Sequence, residues 1–176
     1  MEELKAKIRT IPDWPKKGVM FRDITTLIKH PETFNKVINI FYERYKDKNI
    51  DIVAGIESRG FIFGSILAHK LNTGLVLLRK PGKLPAATTK QEYELEYGKD
   101  ALEIHNDSII PGQIVLLIDD LIATAGSCLA ACELIKSLQG KLAECAFLVE
   151  LTDLKGRERL ENKGYKVFSL LQFEGE

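Results

Sequence analysis

Ile114-Val115-Leu116-Leu117-Ile118-Asp119-Asp120-Leu121-Ile122-Ala123-Thr124-Ala125-Gly126-Ser127 sets the architecture of this chain. Ile114–Ile118 is fully apolar and β-branched at three of five places, following the turn pair Pro111-Gly112. Such a run suits a strand buried on both faces of a parallel sheet. Two adjacent carboxylates, Asp119 and Asp120, come next, then a loop of small residues, Ala123–Ser127. A helical pattern is predicted over Cys128–Gln139, with Ala131, Leu134, Ile135 and Leu138 on its apolar stripe and Gly140 as its stop.

In open α/β sheets, ligands sit beyond the carboxyl ends of the strands. A small-residue loop opening a helix presents unpaired N–H groups and the positive end of the helix dipole, which can hold a phosphate. Thr124 and Ser127 add hydroxyl donors, and the two acids suit sugar hydroxyls and a Mg²⁺ ion beside them. Together these parts fit a ribose 5-phosphate. The loop is neither a Walker A nor a GxGxxG loop, because both signatures are missing.

Length and composition bound the rest. The 176 residues argue for one domain with a full-sized core. Apolar content is 45% and charged content 28%, ordinary for a soluble globular protein. Lys+Arg and Asp+Glu are both 25, and zero net charge argues against a general nucleic-acid or membrane-surface binder. No apolar run approaches a membrane span, and Met-Glu-Glu-Leu-Lys has no signal-peptide core, so a cytoplasmic location is expected. Cys128, Cys132 and Cys145 form no CxxC. Cys128 and Cys132 share a face of the predicted helix, but a metal site would need two more ligands, and His30, His69 and His105 show no ligand spacing. The cysteines therefore read as buried structural thiols.

The central stretch resembles the phosphoribosyl diphosphate (PRPP) motif of type I phosphoribosyltransferases. The resemblance implies a single-domain α/β fold over 1–176, with a mainly parallel central sheet flanked by helices. Ribose hydroxyls would lie on Asp119 and Asp120, and the 5-phosphate in Ala123, Thr124, Ala125, Gly126 and Ser127. The family has Thr-Gly-Gly-Thr where this chain has Thr124-Ala125-Gly126-Ser127. Ala125 lacks the freedom of Gly at positive φ, so either the loop needs no unusual φ there or it carries a small strain.

Other motifs follow in family order. Pro12-Asp13-Trp14-Pro15, then Gly18-Val19-Met20-Phe21-Arg22-Asp23-Ile24, is similar to the N-terminal hood of adenine phosphoribosyltransferases. Within 1–32, the resemblance implies that Phe21 stacks on the purine while backbone groups of Met20 and Arg22 read its edge. Gly55-Ile56-Glu57-Ser58-Arg59-Gly60-Phe61 closes a second predicted strand, Asp51–Ile56, and reads as a second anion site. The family has its pyrophosphate loop here, implying roles for Ser58 and Arg59 and a non-proline cis peptide near Glu57-Ser58. Arg79-Lys80-Pro81-Gly82-Lys83 ends a third strand, Leu75–Leu78, and matches the family's basic stretch, with Arg79, Lys80 and Lys83 toward pyrophosphate. Leu84–Gly98 is polar and irregular and is expected as a mobile lid. Its Leu95-Glu96-Tyr97-Gly98 matches the family's lid, which implies that Glu96 handles the purine proton, with Tyr97 beside it. Leu148-Val149-Glu150-Leu151 to Gly156-Arg157 matches the stretch that lines the base pocket from below, and Leu121 and Leu151 are assigned to adenine. Residues 2–10 read as a short amphipathic helix.

The implied reaction is adenine + PRPP → AMP + pyrophosphate, with Glu96 and Arg59 as catalytic residues. Mg²⁺ would be held by PRPP, without a direct protein ligand, and reach Asp119 and Asp120 through water. A homodimer is expected. Two rivals are a phosphoribosyltransferase for another purine base and a non-catalytic PRPP- or purine-sensing module. The Phe21 hood argues against the first, and Glu96 with zero net charge against the second.

Overall fold

The computed structural model describes residues 1–94 and 98–175. The chain opens with a single helical turn, α1 (Glu2–Lys5), followed by β1 (Arg9–Pro12) and β2 (Met20–Asp23). These two strands form an antiparallel ribbon in which Ile11 faces Phe21 and Thr10 faces Arg22. The helix expected over 2–10 therefore ends early. Its second half, with β-branched Thr10 and Ile11, pairs with the hood instead. Leu4 and Ile8 are still buried.

After α2 (Thr25–Ile28) and α3 (Pro31–Tyr45), the core sheet begins with β3 (Ile52–Ile56), α4 (Gly60–Leu71) and β4 (Gly74–Leu78). Two strands outside that sheet follow, β5 (Thr88–Glu94) and β6 (Lys99–His105), paired antiparallel. The remaining elements are β7 (Ile114–Ile122), α5 (Gly126–Ser137), β8 (Lys141–Leu151), a 3₁₀ turn at Thr152–Leu154, α6 (Gly156–Glu161) and β9 (Val167–Phe173). The central sheet has the order β4-β3-β7-β8-β9, and every neighbouring pair is parallel.

That order explains the continuous apolar runs. Val37, Phe41, Phe63 and Leu67 of α3 and α4 pack one face of the sheet, with Leu116 and Ile118 of β7. Cys128, Ala131, Leu134 and Ile135 of α5 pack the other, with Val115 and Leu117. Both faces are dry, so strand residues of either parity are apolar. β3 connects outward to β4 on one side, and β7 lies on its other side. The strand order thus reverses between β3 and β7, and their carboxyl ends open a crevice at that point.

The irregular backbone expected over 84–98 is corrected in its described part. Thr88–Glu94 is a strand whose residues alternate between shielded Thr89, Gln91 and Tyr93 and exposed Lys90, Glu92 and Glu94. Its partner strand contributes buried Leu102 and Ile104 to the α5 side of the core.

Candidate active site

The crevice is built from two strand-to-helix junctions. β7 runs on past the apolar segment, so Asp119 and Asp120 stand inside the strand rather than after it. α5 starts at Gly126, two residues before the expected start, which puts Ser127 in its first turn. Ala125 precedes it at φ 65°, the left-handed region. Of the two alternatives left open by the sequence, the strained one holds: a Cβ in this region costs about 1–2 kcal/mol. No side chain caps this helix start, so its first amide groups face the cavity with the dipole's positive end. The loop is braced from behind, where Arg159 of α6 donates to the Thr124 carbonyl at 2.5 Å.

Asp119, Asp120 and residues 121–128 line a cavity of about 230 Å³, closed by Arg59, Tyr93 and Phe147. Asp120 is buried, and its carboxylate accepts from Arg59 Nε at 2.5 Å. Asp119 Oδ1 accepts the Asp120 N–H at 2.8 Å. Burial, then the neighbouring Asp120 charge, pushes the Asp119 carboxyl well above the usual carboxylate range. It is therefore a group poised to lose a proton when a cation or a sugar hydroxyl arrives.

Close packing fixes the two junctions to each other. A Cβ on Gly60, the first residue of α4, would lie 2.7 Å from the Ile118 carbonyl oxygen and 3.1 Å from Asp119 Cα. Only glycine lets the β3–α4 loop come this near β7. Within that loop the Glu57-Ser58 peptide is cis, at the position the resemblance indicated.

A second cavity of about 230 Å³ lies under the hood, lined by Ile11, Trp14, Phe21, Arg22, Asp23, Ile24, Thr25 and Arg59. Trp14 meets Phe21 edge-on, with ring centroids 4.4 Å apart, and the Arg59 guanidinium sits 5.6 Å from the Phe21 centroid. Arg59 thus lines both cavities. The Arg22 side chain turns away, donating to Thr10 Oγ1 and the Glu174 carbonyl and lying over Phe173. What β2 offers at Met20–Arg22 is the backbone of an edge strand, since among the described residues it pairs only with β1.

Comparison with known proteins gives these cavities a context. A family model described as "phosphoribosyl transferase domain" matches residues 23–175. The adenine phosphoribosyltransferase of Chlorobium phaeovibrioides is 56% identical over 98% of this chain and 99% of its own length. The chain belongs to the adenine phosphoribosyltransferase family. Among solved structures, the adenine phosphoribosyltransferase of Thermoanaerobacter pseudethanolicus superposes with a TM-score of 0.94 at 48% identity, covering 98% of this chain and 99% of that one. The adenine phosphoribosyltransferase of Saccharomyces cerevisiae, solved with an imino-altritol bisphosphate and adenine, gives 0.91 at 42% identity, covering 97% of each chain. The resemblance read from the hood and the Asp-Asp motif is borne out, and so is the type I fold.

For an adenine phosphoribosyltransferase, the residues expected at the site divide by location. Arg59, Asp119, Asp120, Leu121 and Ala123–Ser127 share one cavity, and Phe21, Arg22 and Arg59 share the other. Ser58, Met20 and Leu151 line neither cavity. The basic stretch is engaged with acids instead. Arg79 donates to both Glu57 carboxylate oxygens at 3.3 Å, and to the Lys83 carbonyl. Lys80 pairs with Asp100 and donates to the Tyr93 hydroxyl at 2.7 Å. Lys83 contributes only its backbone to these contacts. Glu96 and Tyr97 lie outside the described residues. Several groups here had no sequence signal. Tyr93 bridges Lys80 and the phosphate loop, where a Cβ on Gly126 would lie 3.2 Å from its ring. Arg159 and Phe147 come in only through tertiary packing, and Trp14, quoted with the hood motif, gains its contact with Phe21. The alternation of β5 could have revealed which way Tyr93 points.

Proposed function

We infer that the protein transfers the 5-phosphoribosyl group from PRPP to adenine, giving AMP and pyrophosphate. The observation that carries this reading is the position of Arg59 at the strand-order reversal, shared by an acid-and-phosphate cavity and an aromatic cavity. A reaction that joins a flat base to a ribose 5-phosphate needs those two cavities side by side.

The 5-phosphate is assigned to the amide groups and hydroxyls of Thr124–Ser127, and the ribose 2- and 3-hydroxyls to Asp119 and Asp120. The base lies against Phe21, with its polar edge read by backbone groups of Met20–Arg22, which supports specificity without polar side chains. Leu121 and Leu151 complete the apolar surround. As the bond from C1 to pyrophosphate breaks, positive charge develops on the sugar and the two carboxylates stabilise it. Arg59, with Ser58, faces the departing pyrophosphate, and Arg79, Lys80 and Lys83 join it by exchanging their present acidic partners. Glu96 accepts the purine proton, and the lid over 84–98, with Tyr97, excludes water.

Mg²⁺ fits this donor set as an ion carried by PRPP. Asp119 and Asp120 are hard oxygen donors, but Asp120 is already committed to Arg59, which leaves too few free carboxylates for an all-protein cage. When bound, the ion neutralises charge on the pyrophosphate. A homodimer and a cytoplasmic location complete the reading; among the described residues no helix is long and apolar enough to cross a membrane.

The test is a product assay with PRPP and Mg²⁺, offering adenine, hypoxanthine, guanine and xanthine separately. AMP from adenine alone is the expected result. Product from another base would overturn the assignment of Phe21 and its neighbours, and PRPP binding without any turnover would leave a sensor.

A further inference from the structure

The sequence reads the three cysteines as buried structural thiols, and all three are buried; what it does not give is how they meet. Cys128 and Cys132 lie one turn apart on α5, and Cys145 comes from β8 beneath them. Their three Sγ atoms all lie within 4.8 Å of one another, and Cys132 and Cys145 Sγ are 3.6 Å apart. All three residues are at most 2% exposed. The cluster sits in the apolar core with Ala131, Ile135 and Phe147.

We propose that Cys128, Cys132 and Cys145 form a three-coordinate thiolate site for a soft monovalent cation, the cuprous ion. A metal–sulfur bond of about 2.3 Å separates the donors of a flat trigonal site by about 4.0 Å, close to the triangle already present. Reaching it asks for changes in sulfur separation of under about 1 Å, less than a disulfide, which would have to draw two sulfurs from 3.6 Å to about 2.0 Å. The donor set selects the ion. Thiolates favour Cu(I) among first-row metals, whereas structural Zn²⁺ takes four ligands. Among the described residues the group holds these three sulfurs and no histidine or carboxylate.

Proton release and access complete the account. Cu(I) binding would displace the thiol protons to solvent, so that the three sulfurs ligate as thiolates. Cys128 also lines the cavity assigned to the 5-phosphate, which gives an ion a route to an otherwise closed site. The expectation that two further ligands were required assumed a four-coordinate metal and the α5 pair alone. Cys145, thirteen residues from Cys132, supplies the one ligand a trigonal site needs.

The experiment is an anaerobic titration of the fully reduced full-length chain with Cu(I) held by bicinchoninate as a coloured competitor. The expected result is one Cu(I) withdrawn per chain, with X-ray absorption giving three sulfur neighbours at about 2.3 Å. The Cys132→Ala/Cys145→Ala variant, in which AMP formation should persist, is expected to lose at least 100-fold in Cu(I) affinity. If that variant fails to fold, the absorption spectrum of the native chain decides alone. The proposal is overturned if bicinchoninate keeps the copper at excess protein or if the spectrum contains nitrogen or oxygen donors. Full retention of binding by the variant, or tighter binding of Zn²⁺ than of Cu(I) by the native chain, also overturns it.

Discussion

Gly156→Ala tests whether the phosphate loop is held from behind. Gly156 opens α6, and a Cβ there would lie 2.2 Å from the Ala123 carbonyl oxygen and 2.8 Å from Ile122 Cγ1. A carbon–oxygen contact settles near 3.3 Å at its closest, so helix and loop must part by about 1 Å. The obstacle is backbone, not the far end of a flexible side chain. Overpacking of this kind costs about 1–3 kcal/mol. Replacing glycine in a helix returns about 1 kcal/mol, so the net loss is roughly 0–2 kcal/mol. That corresponds to a fall in Tm of at most about 8 °C for a chain of this size. Function should suffer more than stability. A displacement of about 1 Å in a positioned reactant lowers turnover by about 100-fold, and the displaced group here is the loop assigned to the 5-phosphate. Steady-state kinetics should therefore show the PRPP KM and kcat/KM impaired by about 10- to 100-fold, with the adenine KM nearly unchanged. An unchanged PRPP KM, or an equal rise for adenine, would refute the idea that α6 sets the loop.

Three further outcomes are expected. Ala125→Gly relieves a left-handed Cβ worth about 1–2 kcal/mol but loses a buried methyl worth about 0.8 kcal/mol and adds unfolded-chain entropy of about 0.4–1 kcal/mol. Stability should stay within about 1 kcal/mol by denaturant titration, and PRPP should bind equally or more tightly; clear weakening would contradict the assigned strain. Asp119→Asn keeps the carbonyl acceptor for the Asp120 N–H but removes a carboxyl whose folded pKa is raised by burial and by Asp120. Because the folded state binds that proton more tightly, the native chain loses this stabilisation as pH rises through the raised pKa. The variant should thus melt higher than the native chain at pH 7–8, by an amount that shrinks toward about pH 4, while PRPP affinity collapses; a lower Tm at pH 8 would reject the sign. Asp23 behaves oppositely. The Thr25 hydroxyl, then Arg9, lowers its pKa to about 2, so its contribution is complete above about pH 4 and fades as pH falls through about 2. Asp23→Asn should be less stable at pH 7 by about 1–2 kcal/mol, and the gap should narrow in acid unfolding curves near pH 2.

The sheet was legible because its strands are apolar on both faces, and β3 and β4 end at Ile56 and Leu78, where the sequence placed their ends. The hairpin was not. Thr88–Glu94 has only polar residues and one tyrosine, and its strand character rests on pairing with Lys99–His105. The early end of the first helix has the same cause, since Arg9–Pro12 gains a partner strand that local propensity does not report. At the site, adjacency in sequence carried far. Asp119, Asp120 and the small-residue loop needed only the strand and helix on either side. Ala125 was legible as a question and not as an answer, because composition does not give φ. Contacts that cross the fold, such as Arg159 on Thr124 and Tyr93 on Lys80, have no local signature at all.

Those crossing contacts bear on how the ligand-free site is stabilised. Arg59 is paired with Asp120, Arg79 with Glu57 and Lys80 with Asp100. The cations expected to meet pyrophosphate are thus compensated by the protein's own carboxylates, which avoids leaving like charges facing one another in a crevice. The affinity for a polyanion is then a difference between two sets of partners, not the sum of new contacts. Lys80 makes this exchange a structural matter as well, because Asp100 and Tyr93 belong to the β5–β6 hairpin. An anion that captured the Lys80 ammonium would remove one tie between the basic turn and the hairpin. Tyr93 and Glu94 would still pack over the start of α5. The Lys80 tie is thus electrostatic and open to competition, whereas the packing of Tyr93 and Glu94 on Gly126, the backbone bridge from Arg79 to Glu103 and the burial of Leu102 and Ile104 do not depend on it.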